Sequence, residues 1–320
     1  MAAVSVEGLR KSYGAVKAVD DVSFAVERGE VFALLGPNGA GKTSTIEILE
    51  GFRDRDGGEV AILGVDPSDR RRQRWLRSQL GVVLQELAVE PFLSVRQVLT
   101  RNAGYYPAPR PVEEVIEMIG LTEKADAKVK TLSGGQQRRL DVGLGIVGDP
   151  ALLILDEPTT GLDPAGRRMS WELFDRLARE GTTVILTTHY MDEAEALAHR
   201  IAIIARGRIV AAGTPDTIGG RDVGTATIRF RLPVGVAVGE LPVAARSDDG
   251  SAVEIRTEEE LAVLHTLTGW AQQREVRLTG LTVSRTTLED VYLRLTHAQA
   301  EESEPYEAEP DSGARPVARR

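Results

Sequence analysis

The sequence predicts an α/β protein built on a mixed core sheet, and three observations carry that prediction. Short apolar runs at residues 31–35, 80–84, 152–155 and 182–187 alternate with stretches of helical spacing across about residues 1–215, the pattern of a layered α/β core. The first run passes straight into a glycine-rich turn and then into residues 44–50, of helical composition. The third run ends in two adjacent carboxylates, Asp156 and Glu157.

The elements follow in chain order. Residues 4–9 and 19–26 alternate apolar with polar, as half-buried strands do. Between them lies Tyr13. It is either a platform for a nucleotide base, a stack worth ~1–3 kcal/mol, or an ordinary surface aromatic. After the strand at 31–35, Gly36, Pro37, Asn38, Gly39, Ala40, Gly41, Lys42 and Thr43 spell G-x-x-x-x-G-K-[ST], and Ser44 opens the helical stretch. Strand, glycine turn and helix together are the context of a phosphate-binding loop. The three glycines let the backbone curl with its N–H groups inward, forming an anion nest. The helix N-terminus adds its positive dipole end. Lys42 brings a point charge to the outer phosphates, and the Thr43 hydroxyl offers an oxygen to Mg²⁺.

Residues 59–63 read as a short strand, and 69–77 (DRRRQRWLR) as a basic, solvated helix face. Gln85 directly follows the strand at 80–84, at the edge where open α/β sheets bind ligands. From 86 to about 150 the pattern turns mostly helical, with apolar spacing at 95–99 and 112–119 broken by Pro107, Pro109 and Pro111. This insertion closes in Leu132, Ser133, Gly134, Gly135 and Gln136, ahead of a helix at 137–147. A Ser-Gly-Gly turn opening a helix is an anion-binding arrangement and equally a plain N-cap. Asp156 ends a buried strand, where it is positioned to hold Mg²⁺. Its neighbour Glu157 can polarise a water as general base. Two carboxylates at a buried strand end are costly unless they bind something. A helix at 167–179 and the strand at 182–187 lead to His189, a candidate γ-phosphate contact at the same edge. A helix at 193–199 and a strand pair at 201–205 and 208–212 complete the core.

Composition narrows the class. With 42% hydrophobic and 27% charged residues, the 320-residue chain is a soluble globular protein of one large or two ordinary domains. It has no cysteine, so neither a disulfide framework nor a Cys-based metal site, and its four histidines lack ligand spacing. A balance of 39 basic against 48 acidic residues argues against a partner that is nucleic acid. No apolar run approaches the ~18 residues of a membrane span, and the N-terminus lacks an apolar signal core. The expected location is the cytoplasm, with docking on a membrane protein left open.

Together these residues resemble the nucleotide-binding subunit of ATP-binding-cassette transporters. GPNGAGKT at 36–43 is similar to Walker A, LLILDE at 152–157 to Walker B with its catalytic glutamate, and LSGGQ at 132–136 to the family signature. Gln85 resembles the Q-loop glutamine, residues 161–163 the D-loop, His189 the switch histidine and Tyr13 the adenine-stacking aromatic. The resemblance implies ATP and Mg²⁺ as cofactors and a P-loop NTPase cassette as the fold. It implies that two copies sandwich two ATP molecules head to tail, Walker A of one facing Ser133, Gly134, Gly135 and Gln136 of the other. Glu157 would direct water, Asp156, Thr43 and Gln85 would organise the metal, and Lys42, Ser133 and His189 would stabilise phosphate charge. Closure would pass to an integral membrane permease through the helical insertion, placing the protein on the cytoplasmic face of the cell membrane.

The expected organisation is a cassette over 1–215, with its helical subdomain at about 86–150, then a small α+β accessory domain over 216–297 and a disordered tail over 298–320. The accessory domain has strand patterns at 225–232, 253–256 and 276–284, and helices at 258–273 and 288–295. Ending in TTLEDVYLRLT, it is similar to the C-terminal domain of daunorubicin-resistance-type exporter ATPases. Export of a drug, antibiotic or related compound is therefore expected. A nutrient importer shares every catalytic motif. A ribosome- or DNA-acting cassette fits less well, since there is one cassette, and the 48 positions from Gln85 to Ser133 hold no heptad run.

Overall fold

The computed structural model describes residues 2–83, 89–220, 225–233, 235–247 and 252–301. β1 (Ala2–Tyr13) and β2 (Val16–Glu27) form an antiparallel hairpin. Both are longer than their sequence patterns at 4–9 and 19–26. Four register shifts along the pair interrupt the alternation that marks a strand. Tyr13 therefore closes β1 instead of lying in a loop.

β3 (Val31–Leu35) leads through the glycine loop to α1 (Lys42–Leu49). β4 (Gly57–Ile62) then pairs with β1, and α2 (Gln73–Gln79) precedes β5 (Leu80–Val83). The helical insertion holds α3 (Val95–Ala103), α4 (Val112–Met118) and α5 (Gly134–Ile146). α5 begins three residues before the expected start at 137, because Ser133 and Gln136 form a capping box across its first turn. β6 (Leu152–Asp156), α6 (Pro164–Arg179), β7 (Thr183–Thr188), α7 (Met191–Leu197), β8 (Arg200–Ala205) and β9 (Arg208–Gly213) follow. Six strands make one sheet in the order β5-β6-β7-β3-β8-β9, parallel except for β9.

One face of this sheet, through Val83, Leu153, Leu155 and Val184, packs against the helical insertion and α6. The other, through Phe32, Leu34, Ile154 and Ile185, packs against the antiparallel sheet of β2, β1 and β4. Phe24 stacks on Phe32 between the two layers, with centroids 5.0 Å apart. α5 approaches β5 closely. A Cβ on Gly81 would lie 2.0 Å from the Gly145 carbonyl, so helix and strand touch backbone to backbone.

The C-terminal part builds a four-stranded antiparallel sheet from β10 (Ala226–Arg231), β11 (Arg246–Ser247), β12 (Ala252–Thr257) and, after α8 (Glu260–Gln273), β13 (Thr279–Arg285). Ile228, Phe230, Val253, Ile255 and Leu267 form its separate core. α9 (Leu288–Glu301) does not join that core. Leu288 and Val291 are buried with Leu35, Ala194, Ile201 and Ile203 of the larger layer. The helix also runs past 298, where the sequence pattern suggested that a tail begins; residues 302–320 lie outside the described ones.

Candidate functional site

Strand register assembles the site. β3 lies beside β7, which lies beside β6, with Leu35 opposite Thr188 and Asp156 opposite Thr187. The residues just past these strand ends, Gly36, Glu157 and His189, therefore emerge along one sheet edge. The glycine loop is wedged between neighbours that leave no room for side chains. A Cβ on Gly36 would lie 2.3 Å from the Ile204 carbonyl, and one on Gly41 2.3 Å from the Ala18 carbonyl. Gly39 and Gly41 also hold left-handed backbone, at φ +80° and +106°, which glycine adopts without steric cost. Gly207 N donates to the Ala40 carbonyl at 2.9 Å, tying the loop to the β8–β9 turn. Pro37, Asn38, Gly39 and Thr43 face solvent.

Lys42 is buried, and its Nζ donates to the carbonyls of Gly36 at 2.5 Å and Pro37 at 3.2 Å. Burial lowers its pKa, against the opposing pull of Glu157 and Asp156. Burial raises the Asp156 pKa, opposed by a hydrogen bond from the Thr187 hydroxyl, while Glu157 adds to the rise. Glu157 Oε1 lies 3.2 Å from His189 Nδ1, and Thr160 Oγ1 is 3.4 Å from Glu157 Oε2. The Glu157 backbone is left-handed, at φ +48°, rare for a side chain of this kind. Tyr13 is anchored through its hydroxyl to Ser44 Oγ at 3.2 Å, with the Arg53 guanidinium 5.2 Å from its ring centroid.

The signature turn is a separate feature. Ser133 caps α5, its Oγ accepting from Gln136 N at 3.3 Å and its N donating to Gln136 Oε1 at 2.9 Å. Ser133 and Gly134 are exposed, and a Cβ on Gly134 would meet nothing within 4 Å. Among the described residues no hydrogen bond joins Ser133, Gly134, Gly135 or Gln136 to the glycine loop. Gln85 lies outside the described residues.

The donor set suits a nucleotide with a hard dication. Thr43 and Asp156 offer oxygen ligands at one edge, and Mg²⁺ is held by one or two protein oxygens plus phosphates. Among the described residues no cluster of three or more His, Cys, Asp or Glu forms a self-sufficient metal cage.

Comparison with known proteins fits this edge. Residues 19–160 match the family model described as ABC transporter, and 226–287 the one described as ABC transporter domain-containing protein-like, C-terminal domain. The chain is 40% identical over 305 residues to the Nod factor export ATP-binding protein I of Paraburkholderia xenovorans (strain LB400), covering 92% of this chain and 97% of that protein. The chain belongs to the ATP-binding subunits of ABC transporters. It is also 38% identical to the daunorubicin resistance ATP-binding protein DrrA2 of Streptomyces coeruleorubidus, covering 96% of this chain and 98% of that one. A solved ATP-binding subunit of an ABC transporter superposes on this ABC ATPase with a TM-score of 0.62 at 28% identity, over 67% of this chain and 90% of that one. The protein thus binds ATP and hydrolyses it. Among its described residues no helix is long and apolar enough to cross a membrane.

One residue at this site escaped the motifs. Arg138, buried on α5, donates to the carbonyls of Pro158, Asp156 and Glu157 at 2.8, 2.9 and 2.8 Å and pairs with Asp141 at 2.9 Å. The sequence signal is its spacing. Arg138 and Asp141 stand three apart among the buried positions of α5, where charges are unusual.

Proposed function

We infer that this ABC ATPase works as a homodimer whose ATP-driven closure operates a separate integral membrane permease, in the direction of export. The observation that carries the catalytic part is the Glu157–His189 pair, set beside Lys42 and Asp156 at one sheet edge. In this reading Glu157 orients and deprotonates the attacking water, and His189 holds the Glu157 carboxylate and contacts the γ-phosphate. The glycine loop from Gly36 to Ser44 cradles the phosphates, with Lys42 as its fixed cation. Tyr13, with the Lys11 ammonium and the Arg53 guanidinium near its ring, stacks the base. Mg²⁺, when bound, would neutralise charge on the phosphates; Thr43 and Asp156 would hold it, a role that the family resemblance also gives to Gln85. The buried Thr187 hydroxyl fixes the Asp156 carboxylate in the required direction.

Homodimerisation is supported by the exposed Ser133–Gly134 turn, which carries a helix N-terminus and has open space at Gly134. A two-fold axis that brings this turn over the partner's glycine loop builds two equal sites at once. Export is supported by the two relatives named above, one a Nod factor export protein and one a daunorubicin resistance protein. The permease partner and the resulting placement on the cytoplasmic face of the membrane follow from the same reading.

The test is Glu157→Gln. Loss of a general base lowers the rate by about 10²–10⁴-fold. ATP binding should survive, and the variant should accumulate as a dimer with ATP by light scattering. Hydrolysis at the parental rate rules out the general-base role. Recovery from membranes with a polytopic permease supports export coupling; recovery with ribosomes or with an importer's binding protein overturns it.

A further inference from the structure

We propose that Glu193 is a positioning residue. Its buried carboxylate latches the turn after Glu157 to the segment that carries His189, and the Thr159 hydroxyl completes the latch as the dimer closes. The role rests on the reading of Glu157 as general base in a closing dimer.

Glu193 stands on α7, and its side chain has no exposed surface. A carboxylate so fully buried is unusual unless partners hold it there. Three elements meet at it. Trp171 Nε1 of α6 donates to Glu193 Oε1 at 3.2 Å. Thr188, the last residue of β7, and Thr159, in the turn after Glu157, are both fully buried. Burial raises the Glu193 pKa, while the hydroxyls of Thr188 and Thr159 and the Trp171 N–H lower it. Thr188 is itself tied to the switch segment, since its Oγ1 accepts from Tyr190 N at 3.0 Å.

The latch is not fully made. Glu193 Oε2 and Thr159 Oγ1 are buried, and among the described residues neither completes a hydrogen bond. A buried acceptor and a buried hydroxyl that face each other unbonded are costly, and a small shift of the turn joins them. The turn is placed to receive such a shift. Its Leu162 packs under the signature, where a Cβ on Gly135 would lie 3.4 Å from Leu162 Cδ2, and Leu162 N donates to the Thr159 carbonyl at 3.1 Å. In the proposed dimer the partner's nucleotide presses on Ser133 to Gln136, and Leu162 passes the displacement to Thr159. The strand ends are already joined, because Glu157 N donates to the Thr187 carbonyl at 2.9 Å. A second tie, from Thr159 to α7, holds Glu157 against His189 from both sides of their 3.2 Å contact.

The test uses the full chain and measures ATP hydrolysis and melting. Thr159→Val removes only the hydroxyl. Losing a buried hydroxyl that has no bond should leave the melting temperature unchanged or raised. kcat should nevertheless fall about tenfold with KM for ATP unchanged, and Thr159→Ser should restore it. Glu193→Gln puts a donor where Oε2 stood and should lower kcat by a similar factor. The double variant should be no slower than the slower single one, because both remove the same bond. Parental kcat in Thr159→Val, failure of Thr159→Ser to restore the rate, or losses that multiply in the double variant overturn the proposal. If Glu157→Gln abolishes hydrolysis while Thr159→Val and Glu193→Gln keep the parental kcat, the latch falls and the general-base reading stands. If Glu157→Gln hydrolyses ATP at the parental rate, both fall.

Discussion

The guanidinium of Arg138 donates to three consecutive backbone carbonyls, Asp156, Glu157 and Pro158, at 2.8–2.9 Å. It grips the segment in which Glu157 holds its left-handed backbone at φ +48°, a conformation that costs ~1–3 kcal/mol unless its surroundings impose it. Arg138→Lys keeps the charge but replaces a planar fork with a single ammonium. Losing one or two hydrogen bonds to a charged donor, each worth ~1.5–3 kcal/mol, should lower kcat by about 10–100-fold while KM for ATP holds. A raised KM with parental kcat would show that Arg138 serves nucleotide binding instead. A second residue gives a pH signature. Burial, with Asp156 and Glu47 nearby, pushes the Glu50 carboxyl up to about 8 from an ordinary 4.5. Between those values the folded chain holds a proton that the unfolded chain has released. Stability therefore falls as pH rises through that window, by up to ~1.4 kcal/mol per pH unit. Glu50→Gln removes the dependence, so its melting temperature should gain on the parent's between about pH 5 and 8. Parallel melting curves across that range would refute the assignment.

At the scale of elements, α5 joins three tasks. Its N-cap is the signature Ser133, its second turn carries Arg138 to the ends of β6, and its last turn rests on β5 through Gly145. The contacts set different tolerances along one helix. A Cβ at Gly81 meets the Gly145 carbonyl at 2.0 Å, and backbone cannot swing aside. Gly81→Ala should therefore destabilise the fold by about 1–3 kcal/mol, seen as a lower denaturant midpoint. Gly134→Ala meets open space. It should leave the melting temperature unchanged or slightly raised and yet depress ATPase activity, because in the proposed dimer that space receives the partner's nucleotide. If activity also stays unchanged, the dimer interface lies elsewhere. The same elements show what the residues disclosed in advance. The glycine loop and Asp156–Glu157 were legible because each directly follows an apolar strand, and His189 because it lies just past the Val-Ile-Leu run of β7. The full length of β1 and β2 was not, because bulges near Gly8 and Ser12 break the period-two pattern. The early start of α5 was hidden because two glycines at its first turn carry little helix propensity. The capping box that starts it anyway spans Ser133 and Gln136, a spacing that the sequence carries and that outweighs the two glycines.

At the scale of the whole molecule, the chain returns to its first layer after building the small sheet. α9 buries Leu288 and Val291 against Leu35, Ala194, Ile201 and Ile203. Leu288 N donates to Glu195 Oε1 at 3.2 Å, and Arg294 Nη2 to the Gly219 carbonyl at 2.6 Å. Sequence pattern assigned this helix to the accessory unit because connectivity is visible along a chain and packing partners are not. Leu35 ends the strand that feeds the glycine loop, and Ala194 lies on α7, which starts two residues after His189. α9 therefore braces both sides of the nucleotide edge from behind, whereas Leu267 serves only the small sheet. The two cores should answer differently to a buried charge, which costs several kcal/mol without a partner. Val291→Asp should lower the main calorimetric transition and reduce ATPase activity with it. Leu267→Asp should melt the small sheet in an early, separate transition and leave the main one in place. A single shared transition shifted equally by both substitutions would mean that the small sheet and the ATPase layer fold as one unit.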